Sequence, residues 1–340
     1  MKVVVTGASG FLGRYLIKVL RDSGHEVTAA SRSRVEIPGI FYALAPELRP
    51  SANWRDTLQG GDAVVHLAGL AAVDGPGNSA DLEVEYRKVN VEGTRALAKQ
   101  AAKAGVKHFV LMSSLHSVAA DSDERLSEQT EPRPVSVYGR SKLAAEKGLQ
   151  EELRTSGCAW TILRPPLVYG RGNQANFDLL LKLVKTGIPL PLASVRNRRS
   201  FIYVENLVDL ISKCLGNANA FGKVYLPSDG EDVSTPELIR AIARANAGVE
   251  QGAGSREHGS KSSDSVGDRE TSHTPHTARH SARLFHFPPS LLNAAGRLPG
   301  LGALHKLTSS LYVDSEPLRR DLGWTPPFTM EQGLRRTLAS

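Results

Sequence analysis

The chain has 340 residues, of which 41% are hydrophobic, and a net charge of +7; that is enough to bury a core in one large domain or two smaller ones. No run reaches the roughly 18–20 apolar residues of a membrane helix, and the opening MKVVVTGASGFLG lacks the long apolar segment and cleavage site of a signal peptide. The basic excess lacks the aromatic interleaving of a nucleic-acid surface, so a cytosolic protein is expected, with an anionic small molecule as its partner and no nucleic acid.

KVVVTG reads as a buried strand, and TGASGFLG follows it with Gly7, Gly10 and Gly13 at a G-x-x-G-x-x-G spacing before a helical stretch. Strand, glycine loop and helix in that order suit a dinucleotide. Gly7 makes the tight turn, and Gly10 lets a pyrophosphate reach the free N–H groups of the helix N-terminus. Gly13 lets the helix pack closely on the sheet. The second strand ends in AASRSR. An acidic residue near this point would hold the adenosine ribose, whereas an arginine accommodates a 2′-phosphate. Ser31 and Arg32 stand here without an acid, which favours NADP(H); if Arg32 is only a surface arginine, NAD(H) fits as well.

Further strands are expected at DAVVHLAG (62–69), HFVLMSS (108–114) and AWTILRP (159–165), with helical stretches between them. This alternation argues for an α/β protein, a doubly wound parallel sheet of Rossmann type with helices on both faces. SVYGRSKLAAEKGL then places Tyr138 four residues before Lys142. Residues at that spacing share a helix face. Tyrosine loses its proton near pH 10, and an adjacent ammonium can lower that value and also hold a nicotinamide ribose. Ser113 and Ser114 close the preceding strand, where a hydroxyl can orient a substrate carbonyl and share its proton.

After Pro165 the pattern loosens, with one more strand-helix unit at RSFIYVENLVDLISKCLG. The expected division is a dinucleotide-binding domain over 1–165 and about 201–226. A smaller C-terminal substrate domain would cover 166–200 and 227–340. Residues 249–283 are rich in Ser, Gly, Thr, His and charge, and are read as a disordered insert. His273, His276 and His280 within it read as a solvated tract rather than a metal site, so no metal is expected. Cys158 and Cys214 lack metal-ligand spacing and read as buried thiols.

The ordered motifs TGxxGxxG, DAVVHLAG, VNVEGT, MSS, YGRSK and RPPLVYG resemble those of the extended short-chain dehydrogenase/reductase family. The resemblance implies Tyr138 as catalytic acid/base, Lys142 as its partner and Ser114 as the carbonyl-orienting hydroxyl, with Ser113 as the fallback. It places cofactor contacts at Ser9, Phe11 and Leu12 in the loop, at Leu67, Ala68 and Gly69, at Asn90, and at Pro165. Asn90 is implied to support the cofactor-side helix; otherwise it is a helix-surface amide.

RPPLVYGRGNQANF, NRRSFIYVENLVDLI and LGWTPPFTMEQGLR are similar to bacterial UDP-4-keto-6-deoxy-N-acetylhexosamine reductases of O-antigen precursor synthesis, and more distantly to UDP-glucose 4-epimerases. This implies a UDP-sugar substrate whose diphosphate is held by Asn176 and Arg199; a turn asparagine and a surface arginine are the plain alternatives. Leu115 and His116 stand where dehydratases carry an Asp-Glu pair, which counts against dehydration. Arg32, and Leu167 in place of an epimerase asparagine, lean toward a reductase; an epimerase with tightly bound NAD and a non-catalytic cofactor-sensing regulator remain alternatives. The resemblance also implies a homodimer through the 89–105 and 138–153 helices. The apolar, weakly basic stretch 284–307 reads as a lid packed on the substrate site, with peripheral membrane association as its alternative.

Overall fold

The structure is a computed structural model that describes the chain except residues 35, 73–79, 174–175, 258–282, 297–301 and 340. Among the described residues, β1 (Lys2–Thr6), β2 (Glu26–Ser31), β3 (Phe41–Leu44), β4 (Ala63–His66), β5 (His108–Met112), β6 (Ala159–Leu163) and β9 (Lys223–Tyr225) form a seven-stranded sheet in the order β3-β2-β1-β4-β5-β6-β9. Every pairing in it is parallel. Parallel strands need both faces covered, and β1 shows why its sequence is a continuous apolar run rather than an alternating one. Side chains alternate along the strand. Val3 and Val5 point into one layer, with the helices Phe11–Asp22 and Val204–Cys214. Val4 points into the other, with the helices Thr94–Lys103 and Val137–Leu153.

A second sheet holds β7 (Leu167–Tyr169), β8 (Arg199–Tyr203) and β10 (Asp232–Val233) in the order β10-β8-β7. It shares a third core with Phe177, Ile239 and Leu334. Beneath it the buried Asp229 accepts hydrogen bonds from the Tyr169 hydroxyl (2.8 Å), the Tyr203 amide (2.9 Å) and the Asn206 amide nitrogen (2.7 Å). Burial raises the Asp229 carboxyl to about 6. The two units meet where the Tyr15 hydroxyl donates to the Arg171 carbonyl at 2.9 Å.

The expected division of the chain needs three corrections. Residues 201–203 belong to β8 and pair with β7, so they lie in the small sheet; the apolar run is equally at home in either core. The C-terminal part does not stay with the small unit, because Leu318, Leu322 and Trp324 return to complete the core of the large sheet. The helix Thr235–Glu257 continues through the first residues of the expected insert; Val, Glu, Gln and Ala there are adequate helix formers despite the glycines. The remainder of that insert, with His273, His276 and His280, lies almost wholly outside the described residues. Within 284–307, Leu284, Leu304 and Leu307 pack against the third core, while Phe285, Phe287 and Leu291 are exposed. No helix among the described residues is long and apolar enough to cross a membrane.

Candidate active site

The glycine loop connects β1 to the Phe11–Asp22 helix. Gly7 has φ +71°, and a Cβ there would lie 2.8 Å from the Ala68 amide nitrogen at the end of β4. Gly10 precedes the helix with extended backbone and no side-chain cap. The first-turn N–H groups at Phe11 and Leu12 are therefore not taken by a capping side chain and can meet an anion. Gly13 sits against the Gly7 carbonyl and Ala8, leaving no room for a side chain. Ser9 lends its carbonyl to the Arg14 guanidinium at 2.8 Å. The end of β2 lies against this loop, since the Ala8 amide reaches the Ala30 carbonyl. Ser31 there is buried, and Arg32 is exposed beyond it. A cradle of this shape, closed to Cβ atoms and open at the helix end, fits a dinucleotide.

Asn90 is 2% exposed, which excludes the surface-amide reading. It lies in a π-helical turn, Arg87–Gly93. Its Oδ1 accepts from the Leu70 amide at 2.8 Å, and its Nδ2 donates to the Leu70 carbonyl and to Ser141 Oγ, both at 3.1 Å. Ser141 Oγ in turn donates to the Tyr138 carbonyl at 2.8 Å. Asn90 thus ties the Leu67–Ala68–Gly69 loop to the helix carrying Tyr138 and Lys142.

At the end of β5 the two serines diverge, as neighbouring strand residues do. The Ser114 hydroxyl accepts from the His116 amide at 3.2 Å and lies near enough to the Tyr138 phenol to oppose the rise that burial gives it. Ser113 turns inward and hydrogen-bonds the buried Glu146. The structure therefore brings Ser114, not Ser113, to Tyr138. The Tyr138 ring packs between Tyr86 and His116, with centroids at 5.9 and 6.1 Å.

Lys142 is buried, and its Nζ donates to the Met112 carbonyl at 2.7 Å. Burial pulls its ammonium down to about 8, and the Glu146 carboxylate opposes that fall. The Tyr138 hydroxyl is raised rather than lowered as the lysine spacing leads one to expect. Burial raises it above its ordinary range, with Ser114 opposing the rise. The lysine is turned to the Met112 carbonyl instead.

Sequence reasoning missed Glu146 and Arg164, which form a buried ion pair at 2.6 Å, with 3% and 7% of their side chains exposed. Its signal was the Lys-x-x-x-Glu spacing after Lys142. It also missed His66. His66 Nδ1 lies 2.6 Å from Thr6 Oγ1, and Nε2 lies 3.0 Å from Thr94 Oγ1. Burial drives the His66 imidazole down to about 3, so it is neutral. Pro165 accepts from the Leu115 amide at 2.9 Å and fixes the turn after Ser114.

The proposed substrate residues lie in the smaller unit. Asn176 begins the helix Asn176–Lys185, and its side chain lies outside the described residues. Arg199 is not a surface arginine. Its Nη1 donates to the Lys306 carbonyl at 2.7 Å and to Ser309 O and Oγ at 3.2 and 3.3 Å, and burial lowers its pKa.

A parallel sheet with a glycine turn at its first crossover, and a hydroxyl, a phenol and an ammonium gathered beside it, defines a dinucleotide-dependent enzyme. The chain belongs to the NAD dependent epimerase/dehydratase family, whose family model matches residues 3–226. It is 34% identical to a UDP-glucose 4-epimerase of Vibrio cholerae over 98% of this chain and 94% of that one. It is 27% identical to a 3-beta-hydroxysteroid dehydrogenase of Mycolicibacterium neoaurum over 99% and 90% of the two chains. Its fold matches the solved structure of MoeE5 in complex with UDP-glucuronic acid and NAD, with a TM-score of 0.72 and 24% identity over 99% and 98% of the two chains. The family's name gives NAD as cofactor; the preference for NADP(H) rests on Arg32 alone.

Proposed function

We propose that the chain is an NAD(P)H-dependent reductase of the C4 ketone of a UDP-4-keto-6-deoxy-N-acetylhexosamine, in synthesis of a surface-polysaccharide precursor. The observation that carries the proposal is Tyr138 beside Ser114 at the end of β5, with Lys142 one helical turn further on. The dinucleotide, held by the loop from Gly7 to Gly13, by Leu67–Gly69 and by Lys142, supplies hydride chemistry when bound. Ser114 holds the substrate carbonyl oxygen. Tyr138 delivers its proton to that oxygen, and Lys142 stabilises the phenolate left behind. Asn176 and Arg199 are assigned to the diphosphate, for which an arginine fork is suited. The nucleotide end then anchors the sugar and places its C4 against the hydroxyl pair. Arg32 favours NADPH, and Leu167 favours reduction over epimerisation. A homodimer through the Thr94–Lys103 and Val137–Leu153 helices belongs to the same reading.

The Vibrio cholerae relative favours a second reading, a UDP-hexose 4-epimerase that keeps its NAD. The test is to incubate the protein with UDP-4-keto-6-deoxy-GlcNAc and NADPH or NADH and follow loss of reduced-cofactor absorbance. Oxidation is expected, and Tyr138→Phe should lower kcat/KM by about 10²–10⁴-fold. No oxidation with either cofactor overturns the reductase; interconversion of UDP-hexoses without net redox change would then establish the epimerase. Full activity in Tyr138→Phe overturns both.

A further inference from the structure

We infer that Glu146, clamped by Arg164 and Ser113, is a positioning residue that keeps Lys142 in its ammonium form inside the protein. This rests on the assignment of Tyr138 and Lys142 as the proton-handling pair, and extends it inward by one helical turn.

Lys142 and Glu146 are separated by four residues in the Val137–Leu153 helix, so they occupy one face. That face is buried: Lys142 is 9% and Glu146 2% exposed. An isolated ammonium in such surroundings would shed its proton. The groups around Lys142 are few. Its Nζ has the Met112 carbonyl as its hydrogen-bond acceptor. His66 on β4 is close enough for the lysine charge to act on it, but it is neutral. Tyr138 on the same helix is pushed by burial toward keeping its proton. Glu146 is the charged group whose field favours the ammonium.

The carboxylate in turn is held in place from two other elements. From the end of β6, Arg164 donates Nε to both carboxylate oxygens at 3.2 Å and Nη2 to Oε2 at 2.6 Å. From the end of β5, Ser113 donates its hydroxyl to Oε1. A buried ion pair adds little net stability compared with apolar side chains of the same volume. The arrangement therefore accounts for itself better by what it does to its neighbour. It also explains the pair of serines at 113 and 114: one faces the substrate and the other fixes the counter-ion of the lysine behind it.

The test compares wild type with Glu146→Gln. Two quantities are read: the pH dependence of kcat/KM, and the titration of Lys142 in the ligand-free protein, followed by NMR after reductive ¹³C-methylation. In Glu146→Gln the Lys142 titration and the alkaline limb of the activity profile are expected to move to lower pH by about one unit or more, while Glu146→Asp restores both toward wild type. A purely structural role would lower activity at all pH values without moving either. Because removing one member of a buried pair can prevent folding, Glu146→Gln/Arg164→Gln is made alongside; it leaves no unpaired guanidinium, and the shift is expected in the same direction. Titration of Lys142 at its wild-type pH in the folded variants overturns the inference. A shifted titration in a protein inactive on every nucleotide sugar tried would support the electrostatic role and sink the catalytic reading instead.

Discussion

At the level of single residues, Asn90 ties the loop after β4 to the helix that carries Tyr138. Its amide makes three hydrogen bonds, to both sides of Leu70 and to Ser141, in a place closed to water. Truncation leaves the Leu70 amide and carbonyl without their partner. Asn90→Ala is therefore expected to cost about 1–3 kcal/mol of stability, measured by urea unfolding, and to weaken binding of the dinucleotide, measured by titration calorimetry, because the Leu67–Gly69 loop loses its tie. The shared face of Tyr138 and Lys142 was legible in the sequence because helix geometry fixes what a four-residue spacing means. Glu146 and Arg164 were not, since they are 18 residues apart and meet only when β6 packs beside the Val137–Leu153 helix. Asn90 was found, but its burial was not, because a π-helical turn shifts which residues face inward. The tyrosine-lowering role of Lys142 was expected from its spacing, the serines ahead of it and the family resemblance, none of which shows that the ammonium turns to the Met112 carbonyl.

At the level of elements, the glycine loop works by allowing the Phe11–Asp22 helix to sit directly on the backbone of the loop before it. Gly13→Ala would place a methyl against the Gly7 carbonyl and Ala8. The helix must then back away from β1, and overpacking of this kind costs about 1–3 kcal/mol. The expected outcome is a lower melting temperature together with weaker NAD(P)H binding, read by the fluorescence of the reduced cofactor; unchanged affinity would show that the helix end does not hold the pyrophosphate. The longer parallel strands were legible as short, largely apolar runs, most plainly the valines of β1. Strands β3, β7, β9 and β10 were not singled out. Each has four residues or fewer, too short for any periodicity to declare itself, and each exists because a neighbour offers an edge. Arg199 shows the same limit: nothing local says that its guanidinium turns to the carbonyls of Lys306 and Ser309.

For the whole molecule, pH acts through buried groups on both sides of neutrality. His66 is held near 3 and His108 near 4 by burial, against an ordinary value of 6.5 in the unfolded chain. Their folded values are depressed, so the unfolded chain binds protons more readily. The stability tied to these two groups is complete above pH 6.5 and is lost as pH falls toward 3–4, at up to about 1.4 kcal/mol per unit for each. Asp229 acts in the opposite sense. Its folded value is raised to about 6, so its contribution is complete below 3.8 and is lost as pH rises through about 6. The two histidines have the larger shifts, and urea unfolding is expected to show lower stability at pH 5 than at pH 7, with a shallower decline in His108→Asn. A flat profile would refute this balance. The return of Leu318, Leu322 and Trp324 to the layer that contains Val3 and Val5 has a consequence for how that core closes. Val3 and Val5 meet these partners only across more than 300 residues of intervening chain: while residues 316–324 are missing, that apolar face stays partly open to water.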